Sequence, residues 1–194
     1  MKKFLPMLFL VFFLLSCQNR SQEKSTQSDI EPVTWELTEI WRTDTIMKTP
    51  ESVFYDPARD VLYVANINGK ATEKDQDGFI SKLSTDGTPL EVEWITGLNA
   101  PKGMGVYEDL LFVTDIDELV VINIKEGTIH KKIPVEGASF LNDVTVGDQG
   151  KVYFTDMGEG KIHTWYEGEL TVWKEDLERP NGLYNEEERV MVLT

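Results

Sequence analysis

Leu62-Tyr63-Val64-Ala65-Asn66, Leu111-Phe112-Val113-Thr114-Asp115, Tyr153-Phe154-Thr155-Asp156 and Val190-Met191-Val192-Leu193-Thr194 are four copies of one apolar strand motif. Their aligned residues Tyr63, Phe112, Tyr153 and Met191 stand 49, 41 and 38 residues apart. A second marker keeps the same step: the turn dipeptides Asp86-Gly87, Glu126-Gly127 and Glu167-Gly168 recur at intervals of 40 and 41, each between two runs of strand-forming residues. Within the second period the pattern predicts four strands, Gly103 to Tyr107, Leu110 to Ile116, Leu119 to Lys125 and Thr128 to Ile133. Four short strands in about forty residues, repeated, predict an all-β chain of four-stranded antiparallel blades, a β-propeller, with about three and a half blades present.

The longer first interval comes from an insertion, Ile67 to Gly78. Its acidic Glu73 to Gly78 hints at a calcium loop, but with Gly78 as the sixth position the twelfth is Ser84, which lacks the bidentate carboxylate. It reads as a solvated loop.

The repeat occupies only part of the chain. Lys2 and Lys3 precede an uncharged apolar run, Phe4 to Leu15, that ends in Leu14-Leu15-Ser16-Cys17. This predicts a signal peptide over 1–16, since the run is poorly matched to the roughly 30 Å of a bilayer core that an uncleaved anchor must cross. Leu-Leu-Ser-Cys resembles the lipobox of bacterial lipoproteins, which makes Cys17 the lipid-modified first residue of an extracytoplasmic protein, on the periplasmic face or the cell surface. It is the single cysteine of the chain, so no disulfide framework is available. Residues 17–31 are polar and poor in apolar groups, which predicts a flexible tether, and the propeller occupies 32–194.

Removal of the signal takes both lysines with it and moves the net charge from −15 to −17. Such acidity excludes a nucleic-acid partner and leaves the lipid on Cys17 as the expected membrane contact. Solubility outside the cell is its simplest explanation.

Alignment of the periods also aligns the first residues of each innermost strand. Glu51, Lys102, Asn142 and Asn181, spaced 51, 40 and 39 apart, stand in Pro50-Glu51-Ser52-Val53, Pro101-Lys102-Gly103-Met104, Leu141-Asn142-Asp143-Val144 and Pro180-Asn181-Gly182-Leu183. Each blade thus aims one polar side chain at the channel mouth, where a small-molecule ligand is expected. One carboxylate and two amide carbonyls suit a hard divalent cation, calcium first, with magnesium or zinc as alternatives. Asn before Gly is also an ordinary turn pair, and only the shared register sets Asn181 apart.

These segments resemble the gluconolactonase, senescence marker protein and regucalcin-like family of six-bladed propellers. The likeness rests on Glu51-Ser52-Val53, on Asn142-Asp143 followed by Val146, Gly150 and Met157, and on Pro180-Asn181-Gly182-Leu183. It implies Glu51 and Asn181 as metal ligands, Asn142 facing both metal and substrate, and a further Asp from a later blade as ligand and base. Two departures stand out. The family's lactonases carry Arg two residues before the Asn of the Asn-Asp segment, where this chain has Phe140, and the later Asp is not in the sequence, which stops within a strand at Thr194. The catalytic residue is therefore unknown, and the expectation is part of a longer wheel rather than a finished half-wheel. Lys102 either swings to solvent or points inward, where it would receive an acidic ligand in place of the missing Arg.

His130 and His163 fall in strands without partners at metal-binding spacing. Trp94, Trp165 and Trp173 are expected between blades. Asp115 and Asp156, each ending a second strand, are expected to hold turns. Thr34 to Thr43 alternates like an outer strand and is expected to lie displaced or at an open edge. Two functions remain open: a metal-dependent hydrolase of a lactone or ester, and a recognition module that holds its ligand unchanged.

Overall fold

The alternation of apolar residues produces fourteen strands and, among the described residues, no helix. The structure is a computed structural model and describes residues 34–187 and 189–194. The signal peptide expected over 1–16, Cys17 and the tether expected over 17–31 lie outside the described residues.

Three four-stranded antiparallel sheets follow one another, each in sequence order. The first blade is β1 (Pro50–Asp56), β2 (Val61–Asn66), β3 (Gly78–Ser84) and β4 (Pro89–Leu98). The second is β5 (Pro101–Tyr107), β6 (Leu110–Asp115), β7 (Glu118–Asn123) and β8 (Thr128–Pro134). The third is β9 (Leu141–Val146), β10 (Val152–Asp156), β11 (Lys161–Tyr166) and β12 (Glu169–Lys174), and the hairpin β13 (Leu183–Glu186) with β14 (Arg189–Val192) begins a fourth. The chain is an all-β propeller of about three and a half blades. The turn markers behave as expected: Gly87, Gly127 and Gly168 all have positive φ, and at Glu167-Gly168 both residues do (51° and 85°), as a tight hairpin demands.

The second blade shows why its strands read as nearly continuous apolar runs. Leu111, Val113, Val120 and Ile122 face the first blade in a cluster with Tyr63, Ile80 and Leu98. Phe112, Leu119, Val121 and Ile133 face the third in a cluster with Leu141, Val144 and Phe154. Successive side chains point to opposite faces of a strand, so a sheet covered on both sides must be apolar in both registers. Each fully buried side chain of this size contributes about 1.5–3 kcal/mol.

The tryptophans divide. Trp165 packs across the blade boundary on Phe112, with ring centroids 5.7 Å apart. Trp94 stacks on Tyr63 of its own blade at 5.1 Å and also covers Gly127 of the second. Trp173, by contrast, meets Tyr153 of its own blade edge-on at 5.1 Å and is half exposed, so it is not an inter-blade contact among the described residues.

The insertion between β2 and β3 is a solvated loop, pinned by Ile67 and Ala71 against Ala100 and Ile116 and by an ion pair of Lys74 with Asp117 at 2.5 Å. Thr34–Thr43 is neither strand nor helix, because no strand edge of the described sheets pairs with it. Trp41 within it lies against Gly87, where an added Cβ would meet the indole at 2.5 Å.

Candidate functional site

The innermost strands β1, β5 and β9 are each irregular at the same place. Pairing of β1 with β2 breaks between Pro50 and Ser52, that of β5 with β6 between Pro101 and Met104, and that of β9 with β10 between Leu141 and Val144. Glu51, Lys102 and Asn142 sit inside these breaks. A bulge adds a residue to one strand and re-aims its side chain, so three of the four aligned residues leave the ladder at a position built to turn them. Asn181 reaches the same level differently, two residues before β13, its amide bonded to the Leu193 carbonyl at 2.9 Å.

A hydroxyl from the preceding blade fixes the backbone at each of the later positions. Ser52 Oγ donates to the Lys102 carbonyl at 2.6 Å, Thr114 Oγ1 to the Asn142 carbonyl, and Thr155 Oγ1 to the Asn181 carbonyl at 2.9 Å. Thr155 Oγ1 also accepts the Asp143 amide at 2.9 Å, a donor that the bulge leaves without a ladder partner. The first blade has Ala65 where the others have Thr114 and Thr155, so its hydroxyl comes from Ser52 on the innermost strand instead. The sequence shows these residues only as polar interruptions, and nothing in their spacing signals a partner in the next blade.

The loops entering the innermost strands are held from the ends of the second strands. Asp115 accepts the amides of Asn99 and Ala100 at 2.8 and 2.6 Å. Asp156 accepts those of Phe140, Gly158 and Glu159 on Oδ1 at 3.1, 3.1 and 3.2 Å, and that of Ser139 on Oδ2 at 3.3 Å. Asn66 takes the Lys48 amide at 2.9 Å in the first blade. Both aspartates hold turns, as their position suggests.

Around the mouth, one cation meets two acids. Lys102 points inward: it is 1 % exposed, its ammonium donates to the Ala100 carbonyl at 2.8 Å and lies 4.7 Å from the centre of the Phe140 ring. Burial pulls its pKa below the ordinary lysine value, against the fields of Asp115 and Glu51. Glu51 keeps much solvent exposure, yet enough protein surrounds its carboxyl to push it above the usual carboxylate range; Lys102 opposes that rise and Asp143 adds to it. Asp143 is itself raised by burial, opposed by the amides of Leu183 and Val144, which its carboxylate accepts at 2.6 and 2.9 Å.

Phe140, which stands in the place of the expected arginine, and Lys102 therefore touch one another. Asp143, quoted in the sequence motif without a role, ties the third blade to β13. It also borders a cleft of about 340 Å³ lined by Phe54, Met104, Val144 and Leu183 from all four innermost strands. Gly103 permits the close approach here, since a Cβ on it would lie 2.5 Å from the Asp143 Cα.

The donors expected for a cation are free. Among the described residues, neither the Glu51 carboxylate nor the Asn142 amide has a hydrogen-bond partner, and Asn181 uses only its Nδ2, 3.9 Å from the Met157 sulfur. The uncommitted oxygens of one carboxylate and two amides, on the first, third and fourth blades, fit a hard cation in kind. They are not a complete site, and no cluster of three or more His, Cys, Asp or Glu side chains able to hold a metal occurs among the described residues. His130 is exposed, and His163 is buried with its ring stacked on Phe154 at 5.4 Å.

No protein-family model and no curated protein sequence matches the chain. Solved structures do. A gluconolactonase from Xanthomonas campestris superposes with a TM-score of 0.59 at 14% identity, over 74% of this chain and 53% of that one. The chain has the fold of the gluconolactonase and regucalcin propellers. Regucalcin from Agrobacterium tumefaciens, described as a calcium-binding protein, matches with a TM-score of 0.52 at 12% identity, over 69% of this chain and 48% of that one. Virginiamycin B lyase from Staphylococcus aureus matches with a TM-score of 0.55 at 18% identity, over 74% and 47%. This propeller chain spans about half the length of the structures it matches.

Proposed function

We propose that the chain belongs to a lipid-anchored, extracytoplasmic, metal-dependent hydrolase acting on a lactone or ester of a small sugar-like or acidic substrate. The observation that carries this reading is the row of free side-chain oxygens on Glu51, Asn142 and Asn181, each at the head of its blade, two on residues whose backbone a hydroxyl from the preceding blade fixes. The fold shared with a gluconolactonase and with regucalcin supports it.

Glu51, Asn142 and Asn181 would hold a divalent cation, calcium first. Such an ion supplies Lewis acidity toward a substrate carbonyl and lowers the pKa of a bound water. Lys102, covered by Phe140, contributes positive field toward an acidic group at the mouth, and Asn142 orients the substrate. The base that takes the proton is unassigned among these residues. Lipid on Cys17 would confine the propeller to the membrane surface.

Recognition without catalysis is the second reading, favoured by the aromatic ring of Phe140 in the place of a lactonase arginine.

Calorimetric calcium titration of the full chain tests the first reading. Glu51→Gln is expected to weaken calcium binding by about tenfold or more; undiminished affinity in this variant removes Glu51 from the site. Calcium uptake with no consumption of gluconolactone or simple esters selects the recognition reading. For the anchor, Cys17→Ser is expected to move the protein from the membrane to the soluble fraction, and a wild type that is itself soluble rules the lipid out.

A further inference from the structure

The covered lysine places a fixed positive charge at the mouth, within the field of the free Glu51 carboxylate. Glu51 lies in the fields of Lys102 and Asp143, and Lys102 in those of Asp115 and Glu51; Asp115 has its oxygens on the amides of Asn99 and Ala100, and Asp143 has its own on those of Leu183 and Val144, so the Glu51 carboxylate alone is uncommitted. One buried ammonium thus stands within the field of one free carboxylate. That ammonium cannot retreat into water: it is held by the Ala100 carbonyl, lies against the Phe140 ring and forms no ion pair among the described residues.

We infer that Lys102 couples the cation to an acidic ligand: it weakens the mouth for a divalent cation alone and strengthens it for the cation together with a carboxylate. The inference rests on the metal reading above and adds to it the class of ligand. A divalent ion entering beside Glu51 meets the repulsion of a fixed positive charge in a partly desolvated place, where such terms are large. A monocarboxylate offsets this repulsion, with one oxygen facing the cation and its charge within the field of Lys102, whereas a neutral ligand leaves it in place. Because linkage is reciprocal, the carboxylate must raise cation affinity by the factor by which the cation raises carboxylate affinity. Phe140 sharpens the effect, since its ring keeps water from solvating the ammonium.

The experiment is calcium calorimetry on the full chain with acetate or with the isosteric neutral acetamide in the buffer. In the wild type, acetate is expected to tighten calcium binding about fivefold relative to acetamide. Lys102→Gln keeps a donor for the Ala100 carbonyl and removes the charge; it is expected to bind calcium about tenfold more tightly than wild type and to respond equally to acetate and acetamide. Calcium bound by wild type and Lys102→Gln with equal affinity, or no difference between acetate and acetamide in the wild type, overturns the inference and leaves the cation site standing. No calcium uptake by any form overturns both. If Lys102→Gln fails to fold by circular dichroism, the acetate and acetamide comparison in the wild type decides alone.

Discussion

Asp115 and Asp156 occupy the same place in consecutive blades, both fully buried at the end of the second strand, yet their carboxyls are shifted in opposite directions. Burial pushes Asp115 up, and the two amides it accepts do not offset that cost. Burial acts on Asp156 too, but it is outweighed by His163, whose Nε2 stands 3.9 Å away, and by the amides of Phe140, Glu159 and Ser139, so its pKa falls below the ordinary value. The difference is the number of donors around the acid, His163 on β11 and the loop amides together. A repeated fold fixes where the acid sits; the sequence around it fixes whether the acid stabilises as a carboxylate or is tolerated as one.

The largest effect is expected on deleting the two acids. Asp156→Ala leaves the amides of Ser139, Phe140, Gly158 and Glu159 without their acceptor and is expected to cost about 3 kcal/mol, against about 2 kcal/mol for Asp115→Ala, which strands two. Urea unfolding of the pair checks this, and an equal or larger loss at Asp115 breaks the comparison.

A smaller effect is expected at the adjacent hydroxyls. Thr155→Val removes both a donor to the Asn181 carbonyl and an acceptor for the Asp143 amide, and is expected to cost about 1–2 kcal/mol, with Thr155→Ser restoring most of it. Ser52→Ala removes one bond at a less buried place and is expected to cost about 0.5–1 kcal/mol. Thermal unfolding orders the two, and a costlier Ser52→Ala shows that the first blade boundary, not the third, relies on its hydroxyl.

The smallest effect is a pH slope, and its sign differs between the aspartates. Asp115 has a raised folded value, so its neutral form is favoured in the native state: its contribution is full below the unfolded value of about 3.9 and is lost as pH rises through the folded one. Asp156 has a lowered folded value, so its contribution is full above about 3.9 and is lost as pH falls through the folded one. Asp115→Asn is therefore expected to flatten the stability profile just above pH 3.9 and Asp156→Asn just below it, each by about 1 kcal/mol or less. Denaturation midpoints measured across this range read the two windows separately, and a change in the same window for both variants defeats the assignment.

Much of this architecture was legible in the sequence because apolar alternation and Gly-containing turns act locally. The strands of the second blade all fall within two residues of their expected limits, with β5 and β8 reaching into flanking prolines. The common register of Glu51, Lys102 and Asn142 was legible too, since a bulge at one point of each repeat preserves the repeat. What was not legible depends on pairing across blades. Spacing gives no sign that Ser52 substitutes for a threonine missing at Ala65, because that needs the distance from β1 to the next blade. Nor does it say which way Lys102 points, for a four-carbon stem permits both, and the answer came from the Ala100 carbonyl and the Phe140 ring. The stretch Thr34–Thr43 has the alternation of an outer strand and is left unpaired, as expected of one displaced from its partner, since alternation describes a face and not a partner.

The inter-blade hydroxyl bonds have one further property: Ser52, Thr114 and Thr155 are all donors, and every acceptor is in the blade that follows. A unit with a donor on one flank and an acceptor on the other can join a copy of itself head to tail, whereas two acceptor flanks would leave carbonyl against carbonyl with no proton to share. The blade therefore carries its own polarity, as a tile with a tongue and a groove does, and a gene segment encoding it can be duplicated in tandem with each new joint already matched.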